Sequence, residues 1–283
     1  MDLNAYMERI GLEASIEPTR ELLVAMHRAH VMSIPFENID VLVGRTPSLH
    51  LNDIFGKLVQ RRRGGYCYEH NLLLAAALER VGFQVERLLA RVYKSSDEIA
   101  PRTHMLLRVT LPESDDEQVW LADAGLGVLR PLDPLPWRDG AVSQQHGWRY
   151  RLEVEANGVW RLHLHEAEGW RELYRFALET QHPADYEMSN YYTATHPGSP
   201  FVSRLLVANV SPQRRMLLRD MQLTEFTDAD HKKTWSIRPE GLNVCLAEYF
   251  GMTLSDVELD ALRKQLEMKQ LATDQKSEGI QSG

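Results

Sequence analysis

The chain has 283 residues, of which 43% are hydrophobic and 25% charged, as is ordinary for a folded globular protein. Its formal net charge of −8 argues against general nucleic-acid binding, which depends on clustered cations. With two cysteines, no basic start followed by an apolar run and no apolar stretch of about 18 residues, we expect a cytoplasmic protein without disulfides, export signal or membrane span.

Residues 1–82 have the pattern of helices. Thr19 follows Pro18 in the manner of a helix start, and the apolar run 71–78 is typical of a later helix. Between them lies the basic cluster Arg61-Arg62-Arg63. It is either a solvated helix end or, as its neighbours favour, a cluster whose last residue forms a structural ion pair.

A lone cysteine stands between a glycine pair and the helix predicted at 71–78. Gly64 and Gly65 allow backbone angles that a side chain forbids, so we expect a sharp turn that presents Cys67 in the first helical turn. There the positive end of the helix dipole favours a thiolate. Cys67 is therefore a candidate nucleophile, with a small buried hydrophobic residue as the alternative interpretation.

The hydrophobic period changes after residue 84. Short apolar segments separated by Pro, Gly, Asp and Asn predict strands, which we place at 85–93, 104–111, 118–122, 148–155 and 159–164. The Asn157-Gly158 pair is a hairpin signal. We therefore expect the last two strands to pair antiparallel.

Two polar residues stand at the ends of predicted strands: His104 begins one, and Asp123 follows another. In a Cys, His, Asp set the imidazole takes the thiol proton, and the carboxylate fixes the tautomer and stabilises the positive charge. Each residue alone would be ordinary, but with Cys67 they form a candidate catalytic triad. Asp115 and Asp116 are rival carboxylates in a segment that reads as a polar hairpin loop, and we prefer Asp123.

The later segments carry weaker signals. His163 and His165 share one face of a predicted strand, but no further ligand is spaced to join them, so we expect no metal site. The polar, aromatic segment 185–201 is predicted as a loop that crosses between domains or borders a cleft for an aromatic ligand. Cys245 lies in an apolar helical pattern where a packing role is favoured. Ser255 to Glu258 predicts the start of a final helix as a capping box.

Five motifs together resemble the arylamine N-acetyltransferases. They are the run from Arg62 to Asn71 around Cys67, Thr103-His104, Asp123-x-Gly-x-Gly, Ile34-Pro35-Phe36-Glu37-Asn38 and Arg9-Ile10-Gly11. The resemblance spans the N-terminal half and fades beyond about residue 200. Ala124 and Leu126 stand where the family often has Val and Phe, a change that would alter the pocket wall without touching the triad.

The resemblance implies an α+β fold with a cysteine-protease-like catalytic core. Its parts would be a helical bundle at 1–84 carrying Cys67, an antiparallel β-barrel at 85–195 carrying His104 and Asp123, an α/β lid at 196–271 and a disordered tail at 272–283. The polar composition of the last segment, which lacks aromatic residues, also predicts disorder.

The resemblance also implies a reaction. Acetyl-CoA would be a co-substrate, with no permanently bound cofactor, and a Cys67 thioester would carry the acetyl group to arylamines and arylhydrazines in ping-pong fashion. O-acetylation of N-hydroxyarylamines and a role in xenobiotic metabolism would fit the same chemistry. Gly125, Gly127 and Arg130 are candidate contacts for the coenzyme A phosphates, although a Gly-x-Gly turn by itself is a weak signal.

Other thiol enzymes remain open. An amide synthase of the same family, using a non-acetyl or carrier-bound acyl donor, would share the triad. A transglutaminase-like thiol enzyme would use the same Cys, His, Asp order. A papain-like protease is disfavoured because the 37 positions from Cys67 to His104 fall far short of the roughly 130 expected there. A non-catalytic binding module would keep Cys67 as a packing residue.

Overall fold

The computed structural model describes residues 1–95, 98–112 and 118–281, with side chains to residue 269. The α-helices are α1 (Leu3–Ile10), α2 (Arg20–Ser33), α3 (Ile39–Leu42), α4 (Leu51–Phe55), α5 (Cys67–Val81), α6 (Pro183–Thr195), α7 (Pro200–Ser203), α8 (Leu242–Phe250) and α9 (Asp256–Gln281). A π-helical turn at Gly56–Gln60 extends α4. None of the helices among the described residues is long and apolar enough to cross a membrane.

The strands form two antiparallel sheets. They are β1 (Phe36–Glu37), β2 (Gln84–Val92), β3 (Arg102–Thr110), β4 (Val119–Ala122), β5 (Leu135–Pro136), β6 (Ala141–Gln145), β7 (Trp148–Val154), β8 (Trp160–Glu166), β9 (Gly169–Phe176), β10 (Leu206–Val210), β11 (Arg215–Arg219), β12 (Gln222–Phe226) and β13 (Lys232–Ser236). The larger sheet has the order β5-β4-β3-β2-β9-β8-β7-β6, and the smaller has the order β1-β10-β11-β12-β13. Since β5 and β6 also contact each other, the larger sheet is a nearly closed barrel.

The local signals of the sequence act as expected at several elements. Thr19 caps α2, because its Oγ1 accepts a hydrogen bond from the Leu22 main-chain N–H at 3.2 Å. The five predicted strands are confirmed within two residues at each end. β7 and β8 pair antiparallel around the predicted Asn157-Gly158 turn, with Gly158 at φ 83°. At the last helix, Glu258 and Ser255 form the predicted capping box.

Other expectations are corrected. The segment predicted as a loop at 185–201 is largely the helix α6, whose start is fixed by Pro183 in its first turn and by the Asp185 carboxylate, which accepts from the His182 N–H at 2.8 Å. The strands β6 and β9 were not predicted, because charged and polar residues interrupt their apolar pattern. The helix α9 is described as far as Gln281, and the disorder expected at 272–283 stays a prediction.

The two sheets and the helices share their packing. One core lies between α1, α2, α5 and the barrel strands β3 and β4, and a second lies between the smaller sheet and helices α8 and α9. Cys245 is buried in this second core, which confirms its predicted packing role. β1, from the N-terminal part, is the edge strand beside β10. The domain division at residues 84, 195 and 271 stays a prediction.

Candidate active site

Cys67 is the first residue of α5 and is 2% exposed. The glycine pair before it does not adopt backbone angles that a side chain would forbid, so that expectation is wrong. Glycine is needed at these two positions because a side chain would not fit. In the segment before Cys67, the residue with positive φ is Arg62, at 52°. A Cβ on Gly64 would lie 2.1 Å from the Pro35 carbonyl oxygen, and a Cβ on Gly65 would lie 2.7 Å from a carboxylate oxygen of Glu69. Side chains are therefore excluded at both positions by the close approach of β1 and α5.

The start of α5 is held by a hydrogen bond and a buried ion pair. The Glu69 carboxylate accepts from the Tyr66 main-chain N–H at 3.0 Å, which fixes the turn that precedes the nucleophile. The same carboxylate accepts from the Lys57 ammonium at 2.8 Å. Lys57 also lies 2.7 Å from Asp40. Burial alone would lower the pKa of Lys57, but Glu37, Glu69 and Asp40 outweigh it and raise the pKa.

Arg63 completes this buried cluster. Its guanidinium donates to Glu37 at 2.7 Å and pairs with Glu258 at the start of α9. Arg63 is 3% exposed, so the prediction of a structural ion pair at the end of the basic cluster is confirmed. We call Glu37, Asp40, Lys57, Arg63, Glu69 and Glu258 the ion cluster.

His104 and Asp123 form a buried pair beside Cys67. The Nε2 atom of His104 lies 2.7 Å from Oδ2 of Asp123, and both side chains are almost wholly buried. Burial alone would lower the pKa of His104, but the charge of Asp123, their hydrogen bond and the contact with Cys67 raise it to about 10. Burial would raise the pKa of Asp123, and the His104 charge reverses this and lowers it. The pair is therefore an imidazolium and a carboxylate near neutral pH.

The second oxygen of Asp123 is also held. Its Oδ1 accepts from the main-chain N–H of Gly125 at 2.9 Å and from the Asn71 amide at 3.2 Å. The Asn71 amide oxygen accepts from the Ala124 N–H at 3.1 Å, so α5 is tied to the turn after β4. A Cβ on Gly125 would lie 2.5 Å from Cα of Cys67, which places this turn directly against the nucleophile.

The structure thus brings together Cys67, His104 and Asp123, as predicted. The rival carboxylates Asp115 and Asp116 lie outside the described residues. The ring of Tyr174 packs against His104, with 5.1 Å between the ring centroids, and closes one side of the pair.

The candidate coenzyme A contacts are placed differently from one another. Gly125 and Gly127 line the cavity that reaches Cys67. Arg130 is fully buried, and its guanidinium donates to main-chain carbonyls of Ala124, at 3.3 Å, and Val31, at 2.8 Å. Burial and the neighbouring Arg215 lower the pKa of Arg130 to about 9. This geometry favours a structural role for Arg130 over a contact with an anionic ligand.

A cavity of about 370 Å³ leads to Cys67 and His104. Its walls are mostly apolar and include parts of β1, the turn after β4, α6, α7, β10 and β11. Among the lining residues are Phe36, Leu126, Val128, Tyr192, Phe201 and Leu217. The alternative in which the segment 185–201 borders a cleft is therefore confirmed. An apolar cavity with few polar groups suits a flat aromatic ligand.

Sequence reasoning missed two residues that support Asp123. Asn71 was noted only as part of a motif, and its contacts appear only once α5 and β4 are packed together. His27 was assigned no role, yet its Nε2 accepts from the Asp123 main-chain N–H at 3.2 Å. The signal available for His27 was an imidazole on the buried face of α2, which is apolar apart from His27 and His30.

The histidine pair singled out in the sequence lies on β8. His163 lies 3.4 Å from a carboxylate oxygen of Glu153, and His165 packs edge-on against Trp170. Within residues 1–95, 98–112 and 118–281, no group of three or more His, Cys, Asp or Glu side chains could hold a metal ion.

Comparison with known proteins gives consistent matches. A family model described as N-acetyltransferase matches residues 19–259. An arylamine N-acetyltransferase of Mycolicibacterium smegmatis is 41% identical over 227 residues, which cover 79% of this chain and 82% of that protein. A Salmonella typhimurium protein named arylamine N-acetyltransferase / N-hydroxyarylamine O-acetyltransferase is 35% identical over 259 residues, 90% of each chain. The solved structure of Mycobacterium marinum arylamine N-acetyltransferase in complex with CoA matches with a TM-score of 0.85 and 31% identity, over 95% of this chain and 98% of that one.

These matches extend what the motifs indicate. Similarity does not end near residue 200, where the motifs fade, but continues into α9. The mixed α+β fold, with its nearly closed antiparallel barrel and cysteine-protease-like core, is that of solved arylamine N-acetyltransferases. The protein is an acyltransferase, and the chain belongs to the arylamine N-acetyltransferase family.

Proposed function

We propose that the protein moves an acetyl group from acetyl-CoA to arylamines and arylhydrazines through a thioester on Cys67. The observation that carries this proposal is the buried His104–Asp123 pair beside a cysteine thiol at the end of an apolar cavity. Membership of the family and the CoA complex of the M. marinum relative support acetyl-CoA as the donor.

The first half-reaction exchanges one thioester for another. The Cys67 thiolate, paired with the His104 imidazolium, attacks the carbonyl carbon of acetyl-CoA. The proposed donors to the oxyanion of the tetrahedral intermediate are main-chain N–H groups at the start of α5. The intermediate collapses with cleavage of the bond to the coenzyme A sulfur, which takes the proton from His104. Little free energy is lost, because both acyl compounds are thioesters, so the acetyl group stays reactive.

The second half-reaction passes the acetyl group to nitrogen. An arylamine is largely unprotonated at neutral pH, so its lone pair attacks the Cys67 thioester directly. Neutral His104 accepts a proton from the attacking nitrogen as the intermediate forms and collapses, and Cys67 leaves as the thiolate beside the restored imidazolium. The apolar cavity walls limit the access of water, which would otherwise hydrolyse the acetyl-enzyme.

The same site sets the choice of acceptor. Lysine and aliphatic amines carry a proton at pH 7 and would have to lose it in a cavity lined mostly by apolar groups. Aromatic amines and hydrazines pay no such cost. The relative from S. typhimurium is also named as an O-acetyltransferase of N-hydroxyarylamines, which supports O-acetylation as a second reaction of the same thioester.

We also propose a setting for the reaction. Both cysteines of the chain, Cys67 and Cys245, are free thiols, which suits the reducing cytoplasm. An enzyme that acetylates aromatic amines and hydrazines there would act in xenobiotic metabolism. For the donor, Gly125 and Gly127 at the cavity wall are the proposed contacts with coenzyme A.

The proposal predicts a covalent intermediate and ping-pong kinetics. Intact-mass spectrometry after incubation with acetyl-CoA should show one added acetyl group on the wild type and none on Cys67→Ala. Initial rates with both substrates varied should give parallel double-reciprocal lines, because coenzyme A leaves before the amine attacks.

Three results would count against it. Intersecting lines would exclude the simple ping-pong route, and acetyl-CoA turnover that is indifferent to the amine would indicate a thioesterase. Acylation from a long or carrier-bound donor, with little turnover of acetyl-CoA, would instead identify the amide synthase.

A further inference from the structure

A buried histidine of α2 reaches the main chain of Asp123. His27 is fully buried in the core between the helical part and the barrel. Its Nδ1 lies 3.1 Å from the Leu132 carbonyl oxygen, and its Nε2 lies 3.2 Å from the Asp123 main-chain nitrogen. The ring therefore spans from α2 to both ends of the segment that follows β4.

The partners of His27 fix its tautomer. A main-chain N–H can only donate, so Nε2 of His27 must accept from Asp123 and carries no proton. A carbonyl oxygen can only accept, so Nδ1 must donate to Leu132. The ring is thus neutral. Burial, the largest influence, lowers the pKa of His27, and Arg130 lowers it further, whereas the Leu132 carbonyl and the charges of Asp133 and Asp123 raise it; the pKa stays below its ordinary value.

The hydrogen bond from Asp123 to His27 lies just beyond the end of the β3–β4 pairing. β4 ends at Ala122, whose partner Leu107 is the last in the register with β3. Asp123 is the next residue, and its main-chain N–H goes to His27 instead of to a strand. The direction of the Asp123 carboxylate depends on this main chain, and the carboxylate must meet His104 at 2.7 Å.

We propose that His27 is a positioning residue, which holds the main chain of Asp123 so that the carboxylate stays aligned with His104. It acts through Asp123 and does not line the cavity that reaches Cys67. The inference rests on the proposed triad function of Asp123, and its test includes a measurement that needs no acetyl-CoA.

Two isosteric substitutions separate the two hydrogen bonds. The amide of glutamine reaches the place of Nε2, so His27→Gln keeps an acceptor for the Asp123 N–H. The shorter amide of asparagine reaches only the place of Nδ1, so His27→Asn keeps the Leu132 contact and loses the Asp123 contact.

His30 provides the matched control. It lies one turn further along α2, is equally buried, and bonds to Tyr6 and His70, each at 2.9 Å. His30→Asn therefore removes buried imidazole hydrogen bonds from the same helix without touching Asp123. Urea unfolding of all variants measures how much stability each has lost.

Two readouts decide the proposal. The first is the single-turnover rate at which acetyl-CoA acetylates Cys67: we expect His27→Asn to lose on the order of 10- to 100-fold at unchanged half-saturation by acetyl-CoA, and His27→Gln and His30→Asn to stay within about threefold of the wild type. The second is an NMR titration of His104. His27→Asn should lower the pKa of His104 by about one unit, because a displaced carboxylate stabilises the imidazolium less.

The proposal is overturned if His27→Asn and His27→Gln behave alike in both readouts, or if His30→Asn slows acetylation as much as His27→Asn. It is also overturned if the pKa of His104 does not move in His27→Asn. Should acetyl-CoA fail to acetylate even the wild type, the titration alone still decides whether His27 positions Asp123, and the failure is then that of the proposed donor.

Discussion

Charge is retained at the active site although its side chains are buried. His104 would lose its proton on burial alone, and Asp123 would gain one, but each reverses the effect on the other. The two hydrogen bonds at Oδ1 of Asp123, from Gly125 and Asn71, add to the stability of the carboxylate. The imidazolium beside Cys67 therefore depends on a carboxylate that is both charged and correctly aligned.

Replacement of Asp123 by asparagine tests this dependence. Asn fits the space but carries no charge and can hold the imidazole in the wrong tautomer, so Asp123→Asn should lose on the order of 10³-fold or more in the acetylation rate of Cys67. Stopped-flow release of coenzyme A measures that rate, and circular dichroism checks the fold. A folded Asp123→Asn enzyme with a near-normal rate would show that another carboxylate, such as Asp115 or Asp116, orients His104.

Three glycine residues at the site are required by contacts and not by backbone angles. Gly64, Gly65 and Gly125 each face an atom closer than 3 Å to the position of a Cβ. The sequence predicts a special role for the first two from their place before Cys67. It could not give the reason, because the Pro35 carbonyl and the Glu69 carboxylate approach them only after β1 and α5 have packed.

At the scale of elements, the ion cluster joins the start of α5 to four other segments, one of which is α3 with Asp40. Lys57 comes from the π-helical turn after α4, Glu37 from β1 and Glu258 from α9. Charges buried in this way are costly to remove from water and are stable only while each has its partner. The orientation of the first turn of α5, and with it of Cys67, is thereby coupled to the packing of α9.

Loss of the lysine should expose this cost. Lys57→Met leaves the buried Glu69 and the partly exposed Asp40 without their nearest cation and should lower the free energy of unfolding by about 3–5 kcal/mol. The control is Lys94→Met, which breaks the exposed pair of Lys94 with Glu98 and should cost less than about 1 kcal/mol. Urea unfolding at neutral pH compares the two, and equal losses would mean that the cluster contributes no more than a surface pair.

The elements themselves were largely predictable from local pattern. The α5 start at Cys67 and the β7–β8 hairpin follow from residues adjacent in sequence, such as Asn157-Gly158. The three residues of the candidate triad could be singled out because they carry recognisable side chains at the ends of elements. The structural roles of His27 and Arg130 could not be predicted from the sequence. His27 bonds to a main-chain group 96 positions away and Arg130 to one 99 positions away, and only folding brings these groups near. The helix α6 was missed because its tyrosines and polar residues resemble a loop.

At the scale of the whole molecule, buried histidines set the pH range of stability. Burial lowers the pKa values of His27, His30 and His70, so the unfolded chain binds protons that the folded chain does not as pH falls below about 6.5. The effect of His104 on stability has the opposite pH dependence. Its raised pKa, about 10, contributes stability that is present below about pH 6.5 and is lost as pH rises towards 10. Stability should therefore be greatest near pH 6.5 to 7.

Below about pH 6.5, the slope of the free energy of unfolding against pH can be predicted and measured. Between about pH 6.5 and pH 5, three such histidines should lower the free energy of unfolding by up to about 4 kcal/mol per pH unit. Urea unfolding across this range measures the slope, and His30→Leu should reduce it by about 1.4 kcal/mol per unit. A free energy of unfolding that is constant or increases from pH 6.5 to pH 5 would contradict the neutral state of these rings.

The pairing of Arg63 with Glu258, 195 positions apart, also bears on how the enzyme is made. β1 likewise can pair with β10 only after β10 has been synthesised, and β10 lies about 170 positions later in the chain. During synthesis on the ribosome the thiol of Cys67 emerges early, but the surroundings that hold its helix are complete only when α9 has left the exit tunnel. We therefore expect a nascent chain that ends before residue 258 to carry the cysteine without the Arg63–Glu258 pair that helps to hold its helix.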